Sequence, residues 1–408
     1  MLNSRQRRRK GGARMSEGIR NDSVYNNSSV RINNRLRVLQ FLRESGSATQ
    51  TELRGALNLS GPTVIQTLQQ LREIGLVEEG ESMPSQGGRK PKPMVFRYDA
   101  WHSAGVEIRR RHVDVRVVNL AGAVTAGRTF RLPYTGDDAY WKAVDGFVSQ
   151  VLEEREVKSP VLGVTIGFPG EISPDGETIT RSTVLGVSDL PVSRIREMFS
   201  RPAFVEYGAN TGAFGLVWRT RLQDAVYIII TDNGIAGAVI LDNRIYRGKS
   251  GKPGAFGHIV LDPDGAPCSC GGRGCWAAYG ALSALTGSEE PDLRAFFGRA
   301  ANGDAECAER WDRYLDRLAQ GLTTIHLSYD LDVILAGKLT PWLLSWEEKL
   351  NEKIRAYPVM RDQPPFVRLN TLTENPISEG AALTLVDRFL KDSLENMRFE
   401  DLLSRAGG

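Results

Sequence analysis

The sequence predicts an α/β chain with a small helical domain in front of it. Three observations carry this expectation: helix-spaced, well-capped apolar residues between 31 and 75, strand-like alternation broken by amphipathic helices beyond Asp99, and a glycine-rich stretch at 257–276 that gathers three of the four cysteines. At 408 residues, with 41% hydrophobic and 25% charged composition, the chain is long enough for two or three domains with cores of their own. No apolar run approaches a membrane span and the N-terminus lacks an apolar h-region, so the expected setting is cytoplasmic and reducing, with no membrane partner. Net charge is only +3, so any nucleic-acid affinity has to be local.

Residues 1–30 carry Arg5, Arg7, Arg8, Arg9, Lys10 and Arg14 ahead of a polar, Asn- and Ser-rich run without hydrophobic periodicity. This reads as a disordered basic arm. It suits DNA phosphates; a solvated tail, or translation starting at Met15, are the alternatives.

Between Arg31 and Tyr98 three helices follow one another. Leu36, Leu39, Phe41 and Leu42 give the first an apolar face, and Thr49 with Glu52 forms a capping box for a second that turns Leu53, Ala56 and Leu57 inward. Ser60 caps the third, with Pro62 in its first turn and Val64, Leu68 and Leu71 on its buried side. That leaves Ser60, Gly61, Thr63, Gln66, Thr67 and Gln70 on the open side, small and amide groups suited to base edges in a major groove. Two strand-like runs then flank a Gly, Pro and basic tip containing Arg89, Lys90 and Lys92. The whole segment, 31–98, reads as a winged helix-turn-helix whose wing puts Arg89 into a narrow minor groove; the alternative is a helical adaptor with a solvated basic hairpin.

The stretch GHIVLDPDGAPCSCGGRGCW (257–276) presents His258, Cys268, Cys270 and Cys275 as H-x9-C-x-C-x4-C. Three thiolates and an imidazole make a tetrahedral, borderline-soft donor set that suits a structural Zn²⁺, and the glycines at 271, 272 and 274 allow the backbone to curl until the sulfurs converge. A glycine-rich loop with incidental cysteines is the alternative. A disulfide framework fails on arithmetic, since three clustered cysteines leave one over and Cys307 sits in a helical stretch as a small core residue.

These residues also carry a family resemblance. GKSGKPGAFGH followed by the Cys motif, with LGVTIGFPGEISPDG (162–176), VEYGAN (205–210), GIAGAVI (234–240), DVILAG (332–337) and SEGAAL (378–383), resembles the ROK family of repressors, uncharacterised reading frames and sugar kinases. The resemblance implies a two-lobed core over 99–408 of the actin-like ATPase, ribonuclease H-like kind, with the zinc loop at 257–276. Repressors of the family carry a winged helix-turn-helix in front and form dimers or dimers of dimers, so it also implies a palindromic DNA operator.

Set against the family pattern, the chemistry is eroded. The first phosphate motif, D-x-G-x-T, corresponds to Glu107, Arg109 and Arg111, where large cations replace the glycine and the small hydroxyl that a phosphate needs. Asp232 brings a negative charge to the second phosphate loop, and a triple-glycine adenosine turn becomes Ala336, Gly337 and Lys338. The family's general base falls on Gly208, which accepts no proton, its sugar-binding asparagine falls on Tyr207, and two sugar-binding glutamates fall on Ala255 and Ala277. No ATP binding and no kinase activity are therefore expected. Phe168, Gly170, Tyr207, Asn210 and Ser250 remain to line an altered effector cleft, and the functional expectation is a DNA-binding regulator, a repressor of carbohydrate genes answering a sugar-like effector. A core that binds no small molecule and serves as an assembly or partner platform is the alternative, and a sugar kinase with an attached DNA-binding domain the distant one. His326, on the apolar side of a C-terminal helix, reads as a satisfied core residue.

Overall fold

The computed structural model describes residues 27–81, 92–155, 157–249, 251 and 254–395. The N-terminal domain runs α1 (Asn27–Ser45), β1 (Ser47–Ala48), α2 (Gln50–Leu57), α3 (Gly61–Glu73), β2 (Val77–Glu79) and β3 (Met94–Phe96). Helix α1 begins inside the stretch read as an arm, so the helical domain starts earlier than expected; residues 1–26 lie outside the described residues. The capping box is in place, with the Thr49 side chain accepting from the Glu52 N–H at 3.2 Å and Glu52 accepting from the Thr49 N–H at 2.7 Å. At the next cap, Ser60 Oγ accepts from the Thr63 N–H at 3.3 Å. Leu53 is buried as anticipated, but Ala56 is exposed, because the eight-residue α2 meets its neighbours along a narrower stripe than its apolar residues span. Strand β3 pairs antiparallel with both β1 and β2, closing the three-stranded sheet of a winged helix around a tip, 82–91, outside the described residues.

Two sheets of the same plan follow. The first lobe holds β4 (His102–Ile108), β5 (His112–Asn119), β6 (Val124–Arg131), α4 (Asp138–Glu154), β7 (Val161–Phe168), the small meander β8 (Glu171–Ile172), β9 (Thr178–Ser182) and β10 (Val187–Pro191), then α5 (Val192–Arg196), β11 (Ala203–Tyr207) and α6 (Gly208–Thr220). The second holds β12 (Ala225–Thr231), β13 (Gly234–Leu241), β14 (Arg244–Tyr246), α7 (Ala277–Gly280), α8 (Leu282–Thr286), α9 (Leu293–Ala301), α10 (Ala305–Tyr329), β15 (Val333–Ala336), α11 (Thr340–Leu343), α12 (Glu347–Arg355) and β16 (Val367–Leu369). The main sheets run β11-β7-β4-β5-β6 and β14-β13-β12-β15-β16. Ranked by chain position, each is an antiparallel meander of its first three strands extended by two parallel ones on the far side of the first. The two lobes are thus one topology used twice, the arrangement of an actin-like ATPase core, and the crevice between them lies at the strands' carboxyl ends.

The last helix, α13 (Pro376–Glu395), returns from the second lobe to the first and packs on α6, β4 and β7. Gly105 in β4 and Gly380 in α13 permit this: a Cβ on Gly105 would fall 1.9 Å from the Ser378 carbonyl oxygen, and one on Gly380 would fall 1.8 Å from that of Thr211. Ala382, Leu383, Val386, Phe389 and Leu390 of α13 join Val38, Leu39, Leu42, Leu53, Leu68 and Leu71 of the N-terminal domain, together with Val118 and Leu120, in a single buried cluster. The His326 ring lies with its Nδ1 2.9 Å from the carbonyl of Leu331, just beyond its helix, and stacks on Phe366, which accounts for it structurally.

Candidate metal centre, interlobe cleft and reading helix

The four residues of the H-x9-C-x-C-x4-C pattern converge. One short 3-10 turn (Phe256–His258) delivers His258, and the following loop folds back through single bridges, Val260 to Cys275 and Pro267 to Arg273, so that the ligand atoms of His258, Cys268, Cys270 and Cys275 all lie within 4.8 Å of one another. Gly274 makes the return possible: its φ is +66° and a Cβ there would sit 1.5 Å from the Asp262 carbonyl oxygen. The gaps Cys270 Sγ to Cys275 Sγ and Cys268 Sγ to His258 Nδ1 are both 3.7 Å. Bond lengths of about 2.3 Å to sulfur and about 2.0 Å to nitrogen give a tetrahedron with edges of about 3.5 to 3.8 Å, so the cluster has the size and the donors to hold a metal ion.

Its electrostatics agree with that chemistry. Burial, then the neighbouring thiols of Cys270 and Cys268, push the Cys275 thiol up to about 12, whereas the Gly272 N–H holds the Cys270 thiol below its ordinary value. Burial lowers His258, favouring the neutral imidazole that a metal requires. Crowded thiols that cannot all ionise together are relieved by a divalent cation. The side chain of Arg181, on β9 of the first lobe, donates to the Cys270 carbonyl at 3.1 Å and ties the loop to the opposite lobe.

Between the lobes lies an open cleft. Its floor is apolar, with Ile108, Ile229, Ile235, Ala255 and Ile377, and its polar edge carries Arg110, Glu171, Arg181, Thr183 and Asp232. Of the residues expected here, Gly170 and Tyr207 line it, as do Gly208, Ala255 and His258. Phe168 does not: it is fully buried beneath the floor, tilted against Trp141 and edge-on to Tyr134, because β7 alternates and puts that side chain on the core face. Asn210 does not line it either, since its Nδ2 turns back to donate to Glu206 at the end of β11 at 3.2 Å. Ser250 lies outside the described residues. Desolvation raises the Tyr207 phenol above its usual pKa.

Where phosphates would enter, ion pairs bind the chain to itself. Arg109 bonds the buried Glu107 at 2.5 Å; burial opposes its charge, but Glu107 with Asp232 and Asp114 holds the guanidinium protonated. Lys338 pairs with Asp232 at 3.3 Å. Arg111 meets Glu289 at 2.5 Å and Arg131 meets Glu290 at 3.0 Å, from the β4–β5 turn and β6 of the first lobe to the loop after α8 of the second. The sequence marks Arg109 and Arg111 as large cations in the phosphate motif but not what they pair with; the partner of Arg111 is 178 residues away.

In the helical domain, Gln66 is exposed on α3, Thr63 and Gln70 are half-exposed, and Ser60 and Gly61 sit at the N-terminus of that helix. Thr63 and Ser60 share a hydrogen bond between their hydroxyls at 2.8 Å. Thr67 is a correction: it is 4% exposed and packs inward. It stands three residues after Val64 and four before Leu71, the spacing of the buried stripe, and only its hydroxyl suggested otherwise. Ile65 and Gln69, absent from the expected set, are exposed on the same helix. Lys92 is exposed and pairs with Glu79 at 3.3 Å, while Arg89 and Lys90 lie outside the described residues.

Residues 103–362 match the family model described as the ROK family, close to two thirds of the chain. The chain belongs to the ROK family. Ahead of this ROK core, residues 33–79 match the model described as bacterial regulatory protein, arsR family, which is the helix-turn-helix segment. The xylose repressor of Bacillus subtilis (strain 168) is 29% identical over 264 residues, covering 62% of this chain and 67% of that protein. Among solved structures, a ROK family transcriptional regulator described as a homologue of the Escherichia coli MLC protein superposes with a TM-score of 0.70 at 18% identity, over 92% of this chain and 99% of that one. A ROK family glucokinase from Streptomyces griseus, solved with glucose and AMPPNP, reaches 0.58 at 21% identity over 69% of this chain and 98% of its own. At these identities both structures establish the fold.

Proposed function

We propose that this protein is a DNA-binding transcriptional regulator of the repressor kind, which uses the winged helix to read a palindromic operator as a dimer or tetramer and the interlobe cleft to sense a sugar-like effector. The observation that carries the reading is the course of α6. Its first residues, Gly208 and Ala209, line the cleft with Tyr207, and its last turn and C-cap set Trp218 and Arg221 against α1 of the winged helix. Arg43 of α1 lies over the Trp218 ring, and Arg221 pairs with Glu44 at 2.5 Å. A ligand that moves one end of a rigid thirteen-residue helix moves the other. The similarity to a xylose repressor agrees with this direction.

The absence of a carboxylate at 208, 255 and 277 and the self-paired Glu107 and Arg109 support a protein that does not phosphorylate sugars and holds no ATP. His258, Cys268, Cys270 and Cys275 would hold one structural Zn²⁺, which fixes the loop forming one wall of the cleft. No described helix is long and apolar enough to cross a membrane. The apolar cleft floor also favours a second reading, a core that binds no small molecule and acts only in assembly. A thermal-shift screen of sugars, sugar phosphates and polyols, repeated with operator-binding measurements, decides between them: a ligand that both stabilises the protein and alters DNA affinity supports the first, and none across the panel supports the second.

A further inference from the structure

We infer that Ile65 reads the 5-methyl group of a thymine in each half-site, next to an adenine contacted by Gln66. This rests on the DNA-binding function proposed above and goes beyond it to a specificity determinant. Ile65 is 51% exposed, and within 27–98 it is the one large apolar side chain exposed among the described residues. Its position explains why the core cannot take it. Val64, Thr67, Leu68 and Leu71 form the buried stripe of α3, and a step of one residue from Val64 swings the side chain about 100° away from that stripe. An exposed helical position would ordinarily favour Ala, Lys, Glu or Gln, since a β-branched residue loses rotamer freedom there. Ile65 also lies in the N-terminal half of the helix, where a reading helix meets base edges.

The surrounding chemistry narrows the partner. Gln66 is exposed beside it and makes no side-chain hydrogen bond among the described residues, whereas the next amide, Gln69, donates to Glu73 at 3.1 Å. A glutamine amide matches the N6 and N7 of adenine, and the one apolar handle on a base edge in the major groove is the thymine methyl. Adjacent glutamine and isoleucine thus fit a step of adenine and thymine on one strand, or two A·T pairs read on both.

The test uses the full-length protein. Sites are first selected from a random duplex library, and each thymine of the selected half-site is then replaced by deoxyuridine, which removes only the methyl. Binding is measured for wild type, Ile65→Ala and Ile65→Val. One thymine per half-site should show about fourfold weaker wild-type binding on loss of its methyl, the equivalent of about 0.8 kcal/mol for one buried methyl. Ile65→Ala should lose that dependence at that position alone, and Ile65→Val should keep part of it. Equal deoxyuridine penalties in wild type and Ile65→Ala at every position would overturn the role of Ile65 and leave the DNA-binding function standing. An Ile65→Ala protein that changes its oligomeric state but not its methyl dependence would overturn it in favour of a protein contact. A library from which nothing is enriched would overturn both.

Discussion

The guanidinium of Arg43 lies 4.5 Å from the centroid of the Trp218 ring, joining the first helix of the winged domain to the helix that begins in the interlobe cleft. Arg221 and Glu44 pair one turn along. A cation over an indole contributes about 0.5 to 2 kcal/mol, enough to bias a domain orientation without holding the fold together.

Trp218→Ala should therefore leave the protein folded and able to bind operator, while reducing the effect of an inducing ligand on DNA affinity by about fivefold or more. Fluorescence anisotropy on labelled operator, with and without ligand, measures this. An unchanged ligand effect in Trp218→Ala would remove α6 as the coupling element.

Purified without chelator, the protein should carry about one Zn²⁺ per chain by elemental analysis. Cys270→Ser should lower both the metal content and the thermal midpoint. Chelation should become easier as pH falls, because proton and metal compete for the same thiolates and imidazole; no pH dependence of metal release would argue against thiolate ligation.

No ATP-dependent phosphorylation of glucose, N-acetylglucosamine or xylose is expected above background. Gly208→Asp is an informative control. A Cβ at 208 meets only ordinary contacts, 3.4 Å from Ile377 Cγ2 and 3.5 Å from the Phe168 carbonyl, so the variant should fold and still show no turnover, since Arg109 and Arg111 remain committed to Glu107 and Glu289. Turnover that follows protein concentration through repurification would overturn the assignment.

Three substitutions in the reader should separate by kind. Gln66→Ala should relax base preference at one position per half-site, by about 1 to 3 kcal/mol for a bidentate contact. Lys92→Ala should weaken binding to all duplexes and flatten the salt dependence. Thr67→Ala, at a buried site, should lower stability by about 1 kcal/mol and leave sequence preference unchanged; altered preference there would mean that α3 presents a different face.

Much of this was legible in the chain. Caps and i, i+3, i+4 spacing announced α2 and α3, and the Cys motif announced its own cluster, because both are local signals in which the interacting residues are close in sequence. The hydroxyl of Thr67 suggests an open position, but its place in the i, i+3, i+4 spacing sets it on the buried stripe. Phe168 ends β7, and a motif spanning a strand end does not say which face the last strand residue takes. The ion pairs from Arg111 to Glu289 and from Arg131 to Glu290 join residues whose neighbourhood exists only once two lobes have closed, and no window of sequence contains them.

The return of α13 to the N-terminal domain has a consequence during protein synthesis. Leu39, Leu42 and Leu68 leave the ribosome well before Val386, Phe389 and Leu390, which complete their cluster from the far end of the described chain. A nascent or prematurely terminated polypeptide lacking them would present an open apolar surface where the finished molecule has a sealed one, and would be material for chaperones and proteases. The buried cluster of the winged domain is therefore complete only once α13 has been made, so the fold of the reader is tied to that of the core that carries this helix.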